Sequence, residues 1–447
     1  MLERMKHALK NSLELNDNEQ FNLLIKEMYP IDIAEFLSTH SDQILNSFLK
    51  YTTPEMHAKV LEQANEKLQL RMIRFLDYKE IVHIFSQMSN DDVVDTLGRL
   101  PTALRKNIIN EINKDERTSV EQLLGYSKDS AGGIMTTEFI ALNHNLTITE
   151  ALDKIRKIGP ETEVIELIFI LNNDHELIGT VDLRDILSSD SMTVLKSITN
   201  ETILTVYPET DQEKVAYLVS KYDLKAIAVV NYENKLLGII TVDDIIDVIV
   251  QEQTEDILRL GGIGGQLKSD GSIFYYVQRR IPWLLINLCT AFLAAFTVTL
   301  FEGVIAQVVV LASSMSIVTG MGGNAGNQTL SVVIRSIALG ELELKKNWKK
   351  VFKEIMIGIL QGAIVGCLAG IILYFKVGSP LIGFIIFLAM IGNMMVASTF
   401  GFLVPLILKR FNFDPALGSS IILTAATDVL GFFFFLGLAS LFLPWLI

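Results

Sequence analysis

The chain has 447 residues and an acidic balance, 38 Lys+Arg against 51 Asp+Glu, for a net charge of −13. That sign argues against nucleic acid as a partner. Two cysteines, Cys289 and Cys367, both in apolar runs, exclude a disulfide framework and a thiolate metal site.

The charge is unevenly divided. Residues 1–280 carry 29 basic and 45 acidic side chains, a net of −16, whereas residues 281–447 carry 9 and 6, a net of +3. The first part therefore reads as two or three soluble units and the second as membrane. The opening MLERMKHALKN has no apolar signal core, so the first 280 residues are expected in the cytosol.

Residues 1–128 read as an all-helical, acidic N-domain. Apolar residues recur at three- and four-residue spacing, as in Ile33, Phe36, Leu37 and again Ile81, Ile84, Phe85, Met88. Breaks fall at 51–54, 89–91 and 100–101. Ser89 or Asn90 is placed to cap a helix beginning with Asp91 and Asp92. Short helices at nearly regular spacing predict a small superhelical array.

Residues 129–250 hold an internal duplication. DHELIGTVDLRDIL (174–187) aligns with ENKLLGIITVDDII (233–246), so that Leu177 matches Leu236, Gly179 matches Gly238 and Asp185 matches Asp244. Each copy predicts a short strand (139–142 and 203–206), an amphipathic helix, two strands with polar turns at 172–176 and 231–234, and a second helix. This β-α-β-β-α repeat resembles a pair of CBS domains, 129–192 and 193–250, with α/β folds. The resemblance implies adenine nucleotide as a modulator. The second copy keeps Thr241-x-x-Asp244, similar to a ribose-contacting pair, whereas the first has Asp182 where Thr241 stands. No Walker-type loop is present for hydrolysis.

Residues 251–280 form a connecting segment. An acidic helix over 243–260 is broken by GGIGG (261–265), and Arg279-Arg280 lead into the membrane. Five apolar stretches follow, at about 281–301, 304–338, 355–375, 380–408 and 415–443, each long enough for the roughly 20 residues a span requires. The uncharged run from 303 to 334 exceeds one crossing and is expected to include a bent or re-entrant part. The basic clusters Arg279-Arg280, KKNWKKVFK (345–353) and Lys409-Arg410 all fall on the cytosolic side if the N-terminus is inside. Glu302 and Lys376 then lie in outer loops, and the C-terminus lies outside.

Two polar stretches interrupt the spans. GMGGNAGNQT (320–329) sets Asn324, Asn327 and Gln328 at i, i+3, i+4 on one helical face, neutral oxygen donors suited to a hard cation or its water shell. Thr424, Thr427, Asp428 and Gly431 repeat the pattern, and Asp428 is the only charged side chain from 415 to 447. A carboxylate at mid-membrane costs about 2.5–3.5 kcal/mol on insertion scales, so it is expected to face protein, water or an ion. The bland alternatives stay open: glycine-mediated helix packing for the first stretch and a neutral structural carboxyl for the second. A twofold dimer would place two Asp428 carboxylates at one axis against a divalent charge. With no His or Cys constellation near the membrane, Mg²⁺ that keeps its waters fits better than softer metals.

These features together resemble the MgtE family of magnesium channels: a helical acidic N-domain, a CBS pair, a connecting helix, and five spans with GMGGNAGNQ and DPAL…TAATDVLG. The resemblance implies a multi-domain membrane protein, a homodimer in the plasma membrane whose central Mg²⁺ pathway passes Asp428, with a five-helix transmembrane domain over 281–447. It also implies that cytosolic Mg²⁺ closes the pathway, with Asp91, Asp95, Glu213, Asp223, Asp247, Glu252, Glu255 and Asp256 as ligands. Independently of the resemblance, Asp91, Asp92 and Asp95 crowd one helix start, and Asp244, Asp247, Glu252, Glu255 and Asp256 crowd another helix. Such crowding repels and is relieved by a divalent ion, although most charge runs are solvated surface.

No obligate protein partner is implied. The competing readings are transport of Mn²⁺ or Co²⁺, a non-transporting membrane metal sensor, and a CBS-regulated membrane enzyme. The absence of HExxH and of any membrane histidine opposes the last.

Overall fold

A computed structural model of the chain describes residues 8–9, 12, 18–159, 162, 164–263, 272–338, 341–342, 348–411 and 413–446. Residues 264–265 of GGIGG, 266–271 of the connecting segment and 345–347 of the central basic cluster lie outside the described residues. The chain divides into two compact units, 1–248 and 249–447.

The first unit opens with nine described helices: α1 (Asn18–Glu27), α2 (Pro30–Thr39), α3 (Asp42–Tyr51), α4 (Pro54–Glu62), α5 (Glu66–Phe75), α6 (Tyr78–Phe85), α7 (Asn90–Arg99), α8 (Thr102–Glu111) and α9 (Lys114–Leu123). Local chemistry sets their starts. Asn65 accepts from Leu68 N at 2.9 Å, and Asp77 and Glu80 form a reciprocal capping box. Ser89 occupies the N-cap of α7, but its hydroxyl donates to Asp92 Oδ2 at 3.0 Å and makes no cap bond to the backbone. The periodic residues Ile33, Phe36, Leu37, Ile81, Ile84, Phe85 and Met88 are all buried.

The duplication folds into two three-stranded sheets of the same topology. In the first, β1 (Phe139–Asn143) runs parallel to β2 (Val164–Leu171), which is antiparallel to β3 (Leu177–Asp182). In the second, β4 (Thr205–Val206), β5 (Ala226–Val230) and β6 (Leu236–Thr241) repeat that order. Helices α10 (Ile148–Ile158), α11 (Leu183–Ser188), α12 (Gln212–Tyr222) and α13 (Val242–Leu260) complete the copies. The copies interlock through their lead-in segments. Thr136 exchanges backbone bonds with Ile239 on β6 (2.8 and 2.9 Å), and Asn200 does so with Thr180 on β3 (2.9 and 3.1 Å). This explains the matched glycines. A Cβ at Gly238 would lie 2.7 Å from Thr136 O, and one at Gly179 would strike Thr199 and Asn200.

Among its described residues the second unit carries five long helices: α14 (Ile273–Thr299), α16 (Val310–Ala338), α17 (Trp348–Val377), α18 (Pro380–Arg410) and α19 (Ser419–Leu441), with short α15 (Glu302–Gln307) and α20 (Leu443–Leu446). Among the described residues four of them, α14, α17, α18 and α19, are long and apolar enough to cross a membrane. The count departs from the five spans expected because the serines and the glycine–amide stretch dilute α16. The long uncharged run is also divided, α15 ending before α16 begins at Val310.

Helix α18 is the hub of this unit. Of its most apolar window 61% is buried, against 11% for α14. On α17, Gly358, Gly362, Gly366 and Gly370 face it one turn apart. A Cβ at Gly362 would come 2.7 Å from Ile391 Cα, so the two backbones approach too closely for any side chain there.

Candidate functional site in the membrane unit and its acidic cytosolic groups

Helix α16 has two faces of different chemistry. Gly322, Ala325, Gly326 and Thr329 are buried, while Asn324, Asn327 and Gln328 are exposed. Gly326 lets α19 approach, since its Cβ would lie 2.6 Å from Leu423 Cδ1. The amide face is thus uncovered within one chain, although it belongs to a helix packed among apolar spans.

On α19 the ladder Leu423, Thr427, Gly431 is buried at one-turn spacing, and Thr424 and Asp428 beside it are partly exposed. The hydroxyl of Thr427 is turned back on its own helix, donating to Leu423 O at 3.1 Å and Thr424 O at 3.0 Å. Thr424 donates to Ser420 O at 2.8 Å. Gly418, at φ +67°, starts this helix in a left-handed conformation beside Trp283.

Two polar residues on the long helices of this unit were absent from the set expected from the sequence. Asn393, fully buried on α18, lies between Gly322 and Gly431 and donates to Val318 O at 2.8 Å. It was visible as the only amide in the apolar run 380–408. Glu354, within α17, accepts from Thr329 Oγ1 at 3.2 Å. It sits one residue before the expected start of the third span, which hid it.

In the first unit, Asp91, Asp92 and Asp244 gather with Glu62. Burial, reinforced by mutual repulsion, pushes the three aspartates up to about 6 and Glu62 up to about 7. Asp91 Oδ1 is buried with no hydrogen-bond partner. Glu62 carried no sequence signal, because it closes α4 about 30 residues before the aspartates. Asp95 pairs with Arg99 at 3.2 Å.

The remaining candidates are not among these four. Glu213 is exposed at the start of α12, where its N–H donates to Asp211 at 2.8 Å. Asp223 ends that helix at φ +50°, and Asp247 is exposed on α13. Farther along α13, burial and Glu252 raise the Asp256 carboxyl, and Glu255 pairs with Arg259. Among the described residues no group of three or more His, Cys, Asp or Glu side chains is arranged to hold a metal ion. Thr241 Oγ1 donates to Asp244 Oδ2 at 2.6 Å, so the two proposed nucleotide residues bond to each other.

Comparison with known proteins gives family matches along the chain. The MgtE intracellular N domain matches residues 28–129, CBS domains match 131–191 and 195–251, and the family model described as a divalent cation transporter matches 315–438. The chain is 30% identical over 449 residues to the magnesium transporter MgtE of Thermus thermophilus, covering 99% of each. It is 28% identical to that of Bacillus subtilis, covering 95% of this chain and 94% of the relative. Among solved structures it resembles the soluble part of a magnesium transporter (27% identity, TM-score 0.53), covering 56% of this chain and 99% of that one. It also resembles the cytosolic domain of the Mg²⁺ channel MgtE in complex with ATP (29% identity, TM-score 0.53), covering 54% and 99%. The chain belongs to the MgtE family, a family of transporters and not of enzymes.

Proposed function

We propose that this chain is a magnesium channel of the plasma membrane, working as a homodimer and admitting Mg²⁺ down its electrochemical gradient. The observation that carries this reading is the uncovered amide face of α16, with Asn324, Asn327 and Gln328 exposed, next in the packing to the helix that bears Asp428. Exposed amides on a helix among apolar spans need water, an ion or a second copy against them. A twofold partner supplies a second Asp428 carboxylate and a second set of neutral oxygens. Two charges and a ring of neutral donors fit a hydrated Mg²⁺, which sheds its waters reluctantly. In this reading α16 also spans the bilayer, giving five spans, with the soluble domains inside and the C-terminus outside. The N-domain, the two CBS copies, the connecting segment and the membrane domain divide near residues 128, 192, 250 and 280.

Cytosolic Mg²⁺ is proposed as the closing signal. Glu62, Asp91, Asp92 and Asp244 repel one another while partly buried, and a divalent cation with some of its waters relieves that repulsion. Asp95, Glu213, Asp223, Asp247, Glu252, Glu255 and Asp256 remain proposed contributors. The ATP complex of a relative's cytosolic domain supports nucleotide as a modulator, with Thr241 and Asp244 the proposed contacts.

The test is ion flux into liposomes holding the purified chain, with Mg²⁺, Mn²⁺ and Co²⁺ in competition. Mg²⁺ influx inhibited by internal Mg²⁺ is expected. Equal uptake of Mn²⁺ or Co²⁺ would favour a general divalent carrier, and no flux at all would leave a sensor.

A further inference from the structure

We propose that Asn393 is a positioning residue of the ion pathway, fixing the separation between the Gly322 turn of α16 and the Gly431 turn of α19. The inference rests on the pathway reading above, because Gly431 lies on the Asp428 helix and Gly322 opens the amide stretch.

Asn393 is fully buried at the centre of α18. Its amide lies between two glycines on different helices. A Cβ at Gly431 would fall 2.8–2.9 Å from all three terminal atoms of the Asn393 side chain, and a Cβ at Gly322 would strike its Nδ2 and Cγ. Neither glycine can therefore be replaced without moving the amide, and both helices close on it as on a spacer. Its Nδ2 donates to Val318 O on α16 at 2.8 Å, whereas its Oδ1 is buried without a partner.

An orphaned amide oxygen inside an apolar bundle is costly, and an apolar side chain of similar volume would avoid that cost. What the amide adds over such a side chain is a fixed orientation. Its hydrogen bond ties α18 to α16 one turn before Gly322, while its plane sets how near α19 comes. Gly431 follows Asp428 by three residues and Thr427 by four, so it shares their face. A shift of the Gly431 turn carries the Asp428 carboxylate with it and resets its position relative to α16. Discrimination among cations rests on the spacing of their oxygen donors, so a change in this spacer acts on selectivity as well as on flux.

The experiment uses the full chain in liposomes, with flux normalised to folded protein recovered by gel filtration. Asn393→Leu keeps the volume and removes the amide. Gly431→Ala keeps the amide and displaces it, and stands in if the first variant does not fold. Both are expected to change the Mg²⁺-to-Ca²⁺ flux ratio, and the half-saturating Mg²⁺ concentration, by roughly fivefold or more, the effect of about one hydrogen bond. A flux ratio and half-saturation like those of the wild type, whether total flux is kept or lost, would show Asn393 to be only a packing residue and overturn the proposal. Asp428→Ala runs alongside. If it loses flux while the Asn393 and Gly431 variants behave as wild type, this inference alone fails. If it conducts as wild type, the pathway reading fails and takes the inference with it.

Discussion

Arg259, in the last turn of α13, is ion-paired both to Glu255 one turn earlier and to Asp414, in the segment between α18 and α19. The other oxygen of Asp414 accepts from Ala416 N at 2.6 Å. One carboxylate thus shapes the approach to the Asp428 helix and holds the end of the acidic helix. All three side chains are a quarter exposed or less, so the pairs are less screened than surface ones.

Arg259→Gln should therefore free the end of α13. The loss expected is roughly 1.5–3 kcal/mol, as for hydrogen bonds to charged groups. Hydrogen exchange of residues 255–263 would rise by about tenfold or more. Exchange there equal to wild type would mean that Leu260, packed with Leu330, Ile334, Ala416 and Leu423, holds the helix end without the charge.

The acidic cluster carries a pH prediction. Glu62, Asp91, Asp92 and Asp244 have native carboxyls raised above their unfolded values. The folded state therefore binds more protons between about pH 4 and 7, and stability falls as pH rises through that window. In chelator, the unit containing them should be less stable at pH 7.5 than at pH 5, by about 1–3 kcal/mol after allowance for solvent screening. Added Mg²⁺ should recover more at pH 7.5 than at pH 5. Thermal melts of the detergent-solubilised chain at the two values, with and without Mg²⁺, decide it. A Mg²⁺ effect independent of pH would dissociate the ion from these carboxylates.

The α17–α18 interface should tolerate no added bulk. Gly362→Val places side-chain atoms where Ile391 Cα already stands and is expected to cost about 1–3 kcal/mol or more through overpacking. Gly320→Ala, at a glycine with open space around it, serves as the control. Equal melting of the two variants would contradict the close backbone approach.

Gly238→Ala tests the interlock of the two CBS copies. Its Cβ would press on Thr136 O, so protection of the Thr136 and Ile239 amides should fall while that of Ala228 persists. Simultaneous loss at all three would mean that the copy unfolds as a whole.

Much of this was legible in residue order. The duplication announced two equal sheets, and the period-3.6 apolar residues announced the helices before residue 128. What one-dimensional pattern cannot carry is which distant residues meet. Nothing near Glu62 hints at Asp91, and nothing near Asn393 hints at Gly322 and Gly431, because each meeting is made by packing across helices. The faces of α16 were half visible: spacing put Asn324, Asn327 and Gln328 on one side, but only the packing of Gly322 and Gly326 shows that the amide side is the uncovered one. Thr427 was grouped with Asp428 by spacing, while its hydroxyl is in fact spent on its own helix.

Asp428 remains the residue on which the functional reading turns. The decisive measurement is Mg²⁺ influx into liposomes for Asp428→Ala and Asp428→Asn against the wild type, with folding verified by gel filtration. The expected result is a fall of at least about tenfold in both, since the neutral amide keeps the shape and removes the intramembrane charge. Influx by folded Asp428→Ala equal to that of the wild type would contradict a cation pathway at this helix.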